Sequence, residues 1–380
     1  MDPREYIPDF TWPAGTDAVD FQVAGREDGE EINALFNRSF EQQRSAAHYA
    51  WKFWDGPGGA PHGVIAVEKE GGKVLAISTG VAKKVWLDGR ERRTLLLCET
   101  SSDPAARGGG KLFRGAMAGL ASTIVEDAGI RWCFGGQSTD TAIKVGKRWF
   151  GYHELFVLQP WEFRLSIEPA LRRRLGGLGA ALAAPADAVR AAGWKDRAAG
   201  CSFEEVSRCG PEFDALFARY RDRYRLVMWR DAETLNWRYF DCPVPGHRVL
   251  LARRDGEPVG YVVWREWDDE GIRVGTVLDL WDGKDEDLAA ALLDAARRAA
   301  RAGGCRFLRY WTMPGSVEEA ALGRFRNARK AENQRPDLIM CTPMCGRGVD
   351  TQPPEYLEEI ATVVDPSSWY YAQGDCDYRD

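Results

Sequence analysis

Glu99 and the glycines behind it are the part of this 380-residue chain whose residue types and spacing could do chemistry. The stretch Glu99-Thr-Ser-Ser-Asp-Pro-Ala-Ala-Arg-Gly-Gly-Gly-Lys-Leu-Phe113 leads from an apolar run into an amphipathic one and reads as strand, glycine turn, helix. Three successive glycines, Gly108, Gly109 and Gly110, at the mouth of a helix leave unpaired backbone N–H groups facing outward with no Cβ to keep a ligand away. That geometry suits a phosphate or pyrophosphate. Arg107 and Lys111 add positive charge where the helix dipole already favours an anion. Lys111 is followed by Leu112, so the stretch is not a Gly-x-x-x-x-Gly-Lys-Ser/Thr loop. Nor is there a Gly-x-Gly-x-x-Gly with a later ribose-binding acid. Glu99, at the strand end feeding the turn, is placed to take a proton from a nucleophile; the alternative is a carboxylate that only caps Arg92 or Arg93. Asp103 before Pro104 shapes the turn.

The elements that must position this stretch follow from periodicity. A strand at Phe21–Ala24 precedes a helix carrying Ile32, Leu35, Phe36 and Phe40 on one face, and a second helical piece runs from Ser45 to Trp54. Val64–Val67 and Val74–Val81 form a hairpin, and the pattern continues across Asp88-Gly89 to Thr100, giving an antiparallel meander that ends at Glu99. A helix from Lys111 to Ala128 stops at Gly129. A strand (Ile130–Phe134), a helix (137–150) and a closing strand (Gly151–Leu158) follow. Residues 166–200, alanine-rich with Leu171, Leu175, Leu178, Leu182 and Val189, read as a helical connector.

Beyond the connector the theme repeats. Leu235-Asn-Trp-Arg-Tyr-Phe-Asp-Cys-Pro243 echoes Tyr49-Ala-Trp-Lys-Phe-Trp-Asp-Gly-Pro57, and hairpin, strand, helix and strand follow in the same order. Where the first copy has its glycines, the second has Trp281-Asp-Gly-Lys-Asp-Glu-Asp287, whose four acids would repel a pyrophosphate. One cofactor site is therefore expected. The division read from the sequence is 1–165, a connector 166–200, a degenerate second copy 201–345, and an acidic tail 346–380.

The formal net charge of −6 is spread through the chain, so nucleic acid is not an expected partner. Nine cysteines, scattered and odd in number, and an N-terminus without a signal pattern point to a cytoplasmic protein with reduced thiols. Cys341 and Cys345 lie close together, but with four histidines in all no zinc site is expected. No apolar run is long enough for a bilayer.

These residues resemble the GNAT acyltransferase superfamily, in particular its bacterial members with tandem domains. In these a Trp-basic-aromatic segment ends near Asn/Asp-x-Pro and an acid-containing strand runs into Pro-x-x-Arg-Gly. The resemblance implies an α/β chain of tandem GNAT folds, each a mixed, mostly antiparallel twisted sheet flanked by helices. It covers roughly residues 20–160 and, less closely, 205–345. The family's coenzyme A loop, Arg/Gln-x-x-Gly-x-Gly/Ala, falls on Arg107, Gly110 and Leu112, the last where glycine or alanine is usual. A register shifted by one keeps the aromatic Phe113 but loses the arginine. The resemblance implies that the fourth strand splays from the fifth, so that the pantetheine arm lies between Thr94–Ser101 and Ile130–Phe134.

The implied activity is transfer of an acyl group from acetyl-CoA or another acyl-CoA to a small-molecule amine. Glu99 acts as general base, Thr100, Ser101, Ser102, Arg107, Gly108, Gly109, Gly110, Lys111, Leu112 and Asp140 contact the cofactor, and no metal takes part. The position where many members carry a tyrosine acid falls on Lys147. Trp51, Trp54, Trp149 and Tyr152 are expected to wall the acceptor cleft, with Trp237 and Tyr239 across a pseudo-twofold axis. The tail from Trp369 to Asp377 either draws a cationic amine with its acids or lies solvated. A monomer is expected, a dimer being the alternative. The rival readings are a non-catalytic GNAT-shaped metabolite-binding or scaffold protein and an aminoacyl-tRNA-dependent transferase.

Overall fold

The computed structural model describes residues 12–106, 109–124, 129–136, 139–198, 200–332, 334, 336–343 and 353–376. The first half contains β1 (Val19–Val23), α1 (Gly29–Phe40), α2 (Ala46–Phe53), β2 (His62–Glu68), β3 (Val74–Leu87), β4 (Arg90–Ser102), α3 (Gly109–Thr123), β5 (Trp132–Gly135), α4 (Asp140–Trp149) and β6 (His153–Arg164). α5 (Glu168–Ala192) connects it to β7 (Cys201–Val206), α6 (Pro211–Tyr220), β8 (Leu226–Met228), α7 (Ala232–Leu235), β9 (His247–Arg254), β10 (Glu257–Asp269), β11 (Ile272–Trp281), α8 (Glu286–Ala302), β12 (Phe307–Thr312), α9 (Val317–Gly323), β13 (Ala328–Lys330) and β14 (Asp337–Pro343). α10 (Pro354–Val363) and the short β15 (Trp369–Tyr370) complete the described chain. The fold class is the expected one: a mixed, largely antiparallel sheet flanked by helices.

Local sequence accounts for most of these elements. Asp88 and Gly89 both adopt positive φ, 44° and 78°, as a two-residue turn between twisted strands requires, and Asp255 and Gly256 repeat this at 52° and 85° in the second half. α2 starts where Ser45 accepts a bond from the His48 amide, and α7 where Asp231 accepts one from Thr234. The connector is helical, but Gly176, with φ 59° and ψ −137°, interrupts it, and Leu175, Leu178, Leu182 and Val189 stay exposed.

One expectation fails. The strand read as Gly151–Leu158 does not close the first sheet. β6 runs on to Arg164, its first part pairing with β14 and its later part with β12 and β13. β14, from the far end of the chain, slots between β5 and β6. The strand order β1-β2-β3-β4-β5-β14-β6 is thereby mirrored by β7-β9-β10-β11-β12-β6, and each half borrows a strand from the other. Pairing partners so distant in sequence leave no local signal.

From Trp369 to Cys376 the tail is not solvated. Trp369, Tyr371 and Cys376 are buried in the core of the first half with Trp132, Phe134 and Phe156, while Tyr370 is buried in that of the second. The two halves also meet through the duplicated motif: Trp51 and Trp237 are stacked with ring centroids 5.4 Å apart, both almost fully buried.

Candidate functional site

β4 and β5 run parallel and pair at Leu95 with Cys133 and Leu96 with Phe134, then part. Beyond the split, β3 keeps pairing with β4, but Glu99 and Thr100 stand together opposite the single residue Ser78, between the pairs Thr79–Cys98 and Ile77–Ser101. Such a bulge takes residues out of the ladder and re-aims their side chains. Glu99 sits there with φ 56°, a left-handed backbone unusual for a non-glycine residue.

The split opens into a cavity of about 780 Å³. Its walls come from α1 (Phe36, Phe40), the segment before α2 and α2 itself (Arg44, His48, Lys52), the bulge (Cys98, Glu99, Thr100), α3 (Phe113), β5 (Phe134, Gly135), the start of α4 (Thr139, Ala142), Tyr152, and β14 (Met340, Thr342). The strand borrowed from the second half therefore completes a cavity in the first. Tyr152 loses water on burial, which raises its phenol well above the ordinary value and keeps it protonated.

Charge in the cavity is organised around Glu99. Its Oε1 receives hydrogen bonds from the Arg44 Nη1 group and lies 2.9 Å from Lys52 Nζ. The Glu99 and Arg44 side chains are each 4 % exposed, and Glu99 Oε2 and Arg44 Nη2 carry no hydrogen bond. Asn33 Oδ1 accepts from Arg44 Nε at 2.7 Å, and the guanidinium carbon lies 3.8 Å from the centre of the Phe36 ring. Arg92 instead pairs with Glu355 and Glu359, and so is not what holds Glu99.

Other residues singled out in the sequence take these places. Thr100 lines the cavity and shares a hydrogen bond with Ser78 Oγ at 3.2 Å. Ser101 is buried, and the Ser102 carbonyl accepts from Ser39 Oγ at 3.5 Å. Asp103 shapes the turn, accepting the Ala105 amide at 2.8 Å, and Lys73 beside it holds its carboxyl below the usual range. Arg107 and Gly108 lie outside the described residues, as does Cys345. Gly109, Gly110 and Lys111 form the first turn of α3, and among the described residues outside that helix's own backbone no heavy atom lies within 4 Å of where a Gly110 Cβ would stand. Leu112 points inward against Val19, Ala66 and Ala76, which gives the departure from the family loop a packing reason. Asp140 opens α4, with Thr139 as the capping residue.

Of the expected cleft walls, Tyr152 lines the cavity. Trp51 does not: it is spent on its stack with Trp237. Trp54 packs beside Arg26, and Trp149, 48 % exposed, lies between Arg114 and Arg148. Trp237 and Tyr239 border a separate small space between the halves, which Pro57, Gly58 and Lys83 also line. Lys147 pairs with Glu154 at 2.6 Å. Arg44, Lys52 and the Phe36–Phe40 face were missed as site residues, although the basic residue after Trp51 lies inside the repeated motif. Among the described residues, no group of His, Cys, Asp and Glu is placed to hold a metal ion, and no helix is long and apolar enough to cross a membrane.

No protein-family model and no curated protein matches the chain in sequence. Solved structures match its shape. A GCN5-related N-acetyltransferase from Anabaena variabilis superposes with a TM-score of 0.60 at 10 % identity, over 85 % of this chain and 72 % of that one. Saccharomyces cerevisiae N-myristoyltransferase with bound myristoyl-CoA gives 0.59 at 10 % identity, over 97 % and 92 %. A GCN5-related N-acetyltransferase from Kribbella flavida gives 0.54 at 17 % identity, over 86 % and 72 %. The chain has the GNAT fold, as its motifs suggested.

Proposed function

We propose that the protein is an acyl-CoA-dependent N-acyltransferase acting on a small amine, with one active site, in the first half. The observation that carries this reading is the parting of β4 from β5 beyond Leu96 and Phe134, with a bulged carboxylate in the wall of the cavity so formed. A pantetheine arm fits such a gap, and strand edges released from pairing offer N–H and C=O groups to it. Its pyrophosphate would lie at the first turn of α3, where Gly109, Gly110 and Lys111 present amides and charge.

In the step itself, the neutral amine attacks the thioester carbonyl carbon, the C–S bond breaks, and the amine's proton must leave. Glu99 Oε2, which carries no hydrogen bond, is the acceptor for that proton. Lys52 and Arg44 hold Oε1 and fix the direction of the carboxylate. The departing thiolate takes up a proton from solvent and leaves as the free thiol, while Tyr152, kept protonated by burial, stands in the same cavity as a hydrogen-bond donor to the sulfur. The fold neighbours include an enzyme holding myristoyl-CoA, which supports an acyl-CoA donor without choosing the acyl chain; acetyl-CoA is our first choice of donor.

The second half is proposed to be catalytically silent. Its equivalent of the glycine turn is acidic, and Asp282 in it is buried and accepts the Lys284 amide at 2.7 Å. Titration calorimetry with CoA and acetyl-CoA tests the reading, followed by thiol release in the presence of an amine panel. Binding that survives in Glu99→Gln while turnover falls by about 10²-fold or more is the expected result. No heat with either nucleotide overturns it.

A further inference from the structure

Arg44 and Arg230 hold the same place in the two halves of the chain. Arg44 precedes Lys52 by the same eight residues that separate Arg230 from Arg238, and Lys52 and Arg238 each follow the tryptophan of the repeated motif. Each arginine stands directly before the capping residue of a helix, Ser45 or Asp231. Each reaches a carboxylate near the end of the corresponding strand, Glu99 within the bulge of β4 and Asp279 immediately after the bulge of β11 at Leu278.

The difference lies in what the other guanidinium nitrogen meets. Arg230 Nη2 donates to Asp375 Oδ2 at 2.7 Å, and Arg238 donates to the carbonyls of Gly374 and Cys376 at 3.0 and 2.8 Å. Gly374 is pressed so close that a Cβ there would stand 3.1 Å from the Leu278 carbonyl, at the bulge of β11. The chain's own tail thus sits in the second half as a built-in ligand, with its carboxylate on the arginine. In the first half the corresponding Arg44 Nη2 has no hydrogen bond, and the cavity in front of the bulge is open. Glu99 Oε2, across the same ion pair, is likewise unbonded, and both side chains are 4 % exposed.

We propose that the acceptor is an α-amino acid, its carboxylate seated on Arg44 Nη2 as Asp375 is seated on Arg230, and its amine at Glu99 Oε2. The two unbonded atoms are the outer members of one ion pair, so a donor for one and an acceptor for the other must be carried close together on the ligand, as on a single α-carbon. A plain amine would satisfy Glu99 and leave the guanidinium nitrogen unmatched. Phe36, Phe40, Phe113 and Phe134 on the walls suit an apolar side chain. The assignment rests on reading the cavity as the acceptor site.

The test compares matched probes on the full chain: L-phenylalanine, its amide and phenethylamine, then L-alanine, its amide and ethylamine. Binding is followed by ligand-observed NMR without nucleotide, and acyl transfer by thiol release with acetyl-CoA. In at least one set the free acid is expected to bind about tenfold or more tightly than its two partners. Arg44→Lys keeps a charge toward Glu99 but lacks the second nitrogen, and should bring the ratio close to one. Equal binding within both sets, or no binding by any probe, overturns the carboxylate seat, and the wild-type comparison decides this even if the variant does not fold. If CoA gives no heat while the acid preference stands, it is the transferase reading that fails; if CoA binds and the preference is absent, only the seat fails.

Discussion

The indole of Trp51 donates to the main-chain carbonyl of Trp237 at 2.7 Å, and the indole of Trp237 donates back to the carbonyl of Trp51 at 2.9 Å. Two copies of one motif meet here across a local twofold, rings 26° from parallel, and seal the halves together. Trp51→Phe removes a buried donor and leaves the Trp237 carbonyl unmatched, an expected loss of about 1–3 kcal/mol in urea unfolding. Trp51→Ala and Trp237→Ala should each cost about 3–5 kcal/mol. The double variant should lose less than the sum, because each change removes the same stack. Additive losses would show that the two rings do not cooperate.

Gly110 separates ligand binding from folding. Among the described residues outside its own helix backbone, nothing lies within 4 Å of a Cβ added there, so Gly110→Val should leave thermal stability within about 0.5 kcal/mol. If a pyrophosphate rests on the first turn of α3, CoA affinity should nevertheless fall about tenfold. Unchanged affinity by calorimetry would place the nucleotide elsewhere.

Asp375 carries a different weight. It and Asp279 are the two carboxylates on the buried Arg230, so Asp375→Asn should destabilise the fold by about 3–5 kcal/mol. Gly374→Ala should act in the same direction, since its Cβ would stand 2.0 Å from the Tyr239 hydroxyl. Denaturant midpoints check both. A tail that only trails in solvent would leave them unmoved.

Buried acids in the second half set a pH dependence. Burial pushes Asp282 well above the ordinary carboxylate range, with the charge of Glu318 adding to it, and burial likewise raises Glu318. Folded-state values above the unfolded ones mean that the native protein binds more protons. This contribution to stability is full below the ordinary carboxylate range and is lost as pH rises through the raised values. Glu318→Gln should therefore make the protein more stable than wild type at pH 8 and flatten the decline as pH rises above the ordinary carboxylate range. A melting series from pH 4 to 9 reads the effect, and a variant less stable than wild type at pH 8 would refute it.

The sequence by itself determined what is local. The Asp88-Gly89 and Asp255-Gly256 turns, the helix of Ile32 and Leu35 and the strand that carries Glu99 all rest on propensities and spacings within a few residues, although that strand runs on past Glu99 to Ser102. The repeated Trp-basic-aromatic motif was legible too, and with it the GNAT resemblance. What it could not determine was the partner of each strand. That β14 inserts beside β5 and β6 crosses over to β12 depends on pairing between residues more than a hundred apart, and a strand's own pattern does not name its neighbour. The same limit governed the site. Trp51 carried the right chemistry for a cleft wall, yet the contact with Trp237 consumed it. Nothing in the sequence around Arg44 singles it out, and only the fold brings it against Glu99. Only the tertiary structure decided that one copy's arginine holds the chain's own tail while the other's faces a cavity, because burial and pairing are properties of the assembled sheet, not of the residues that enter it.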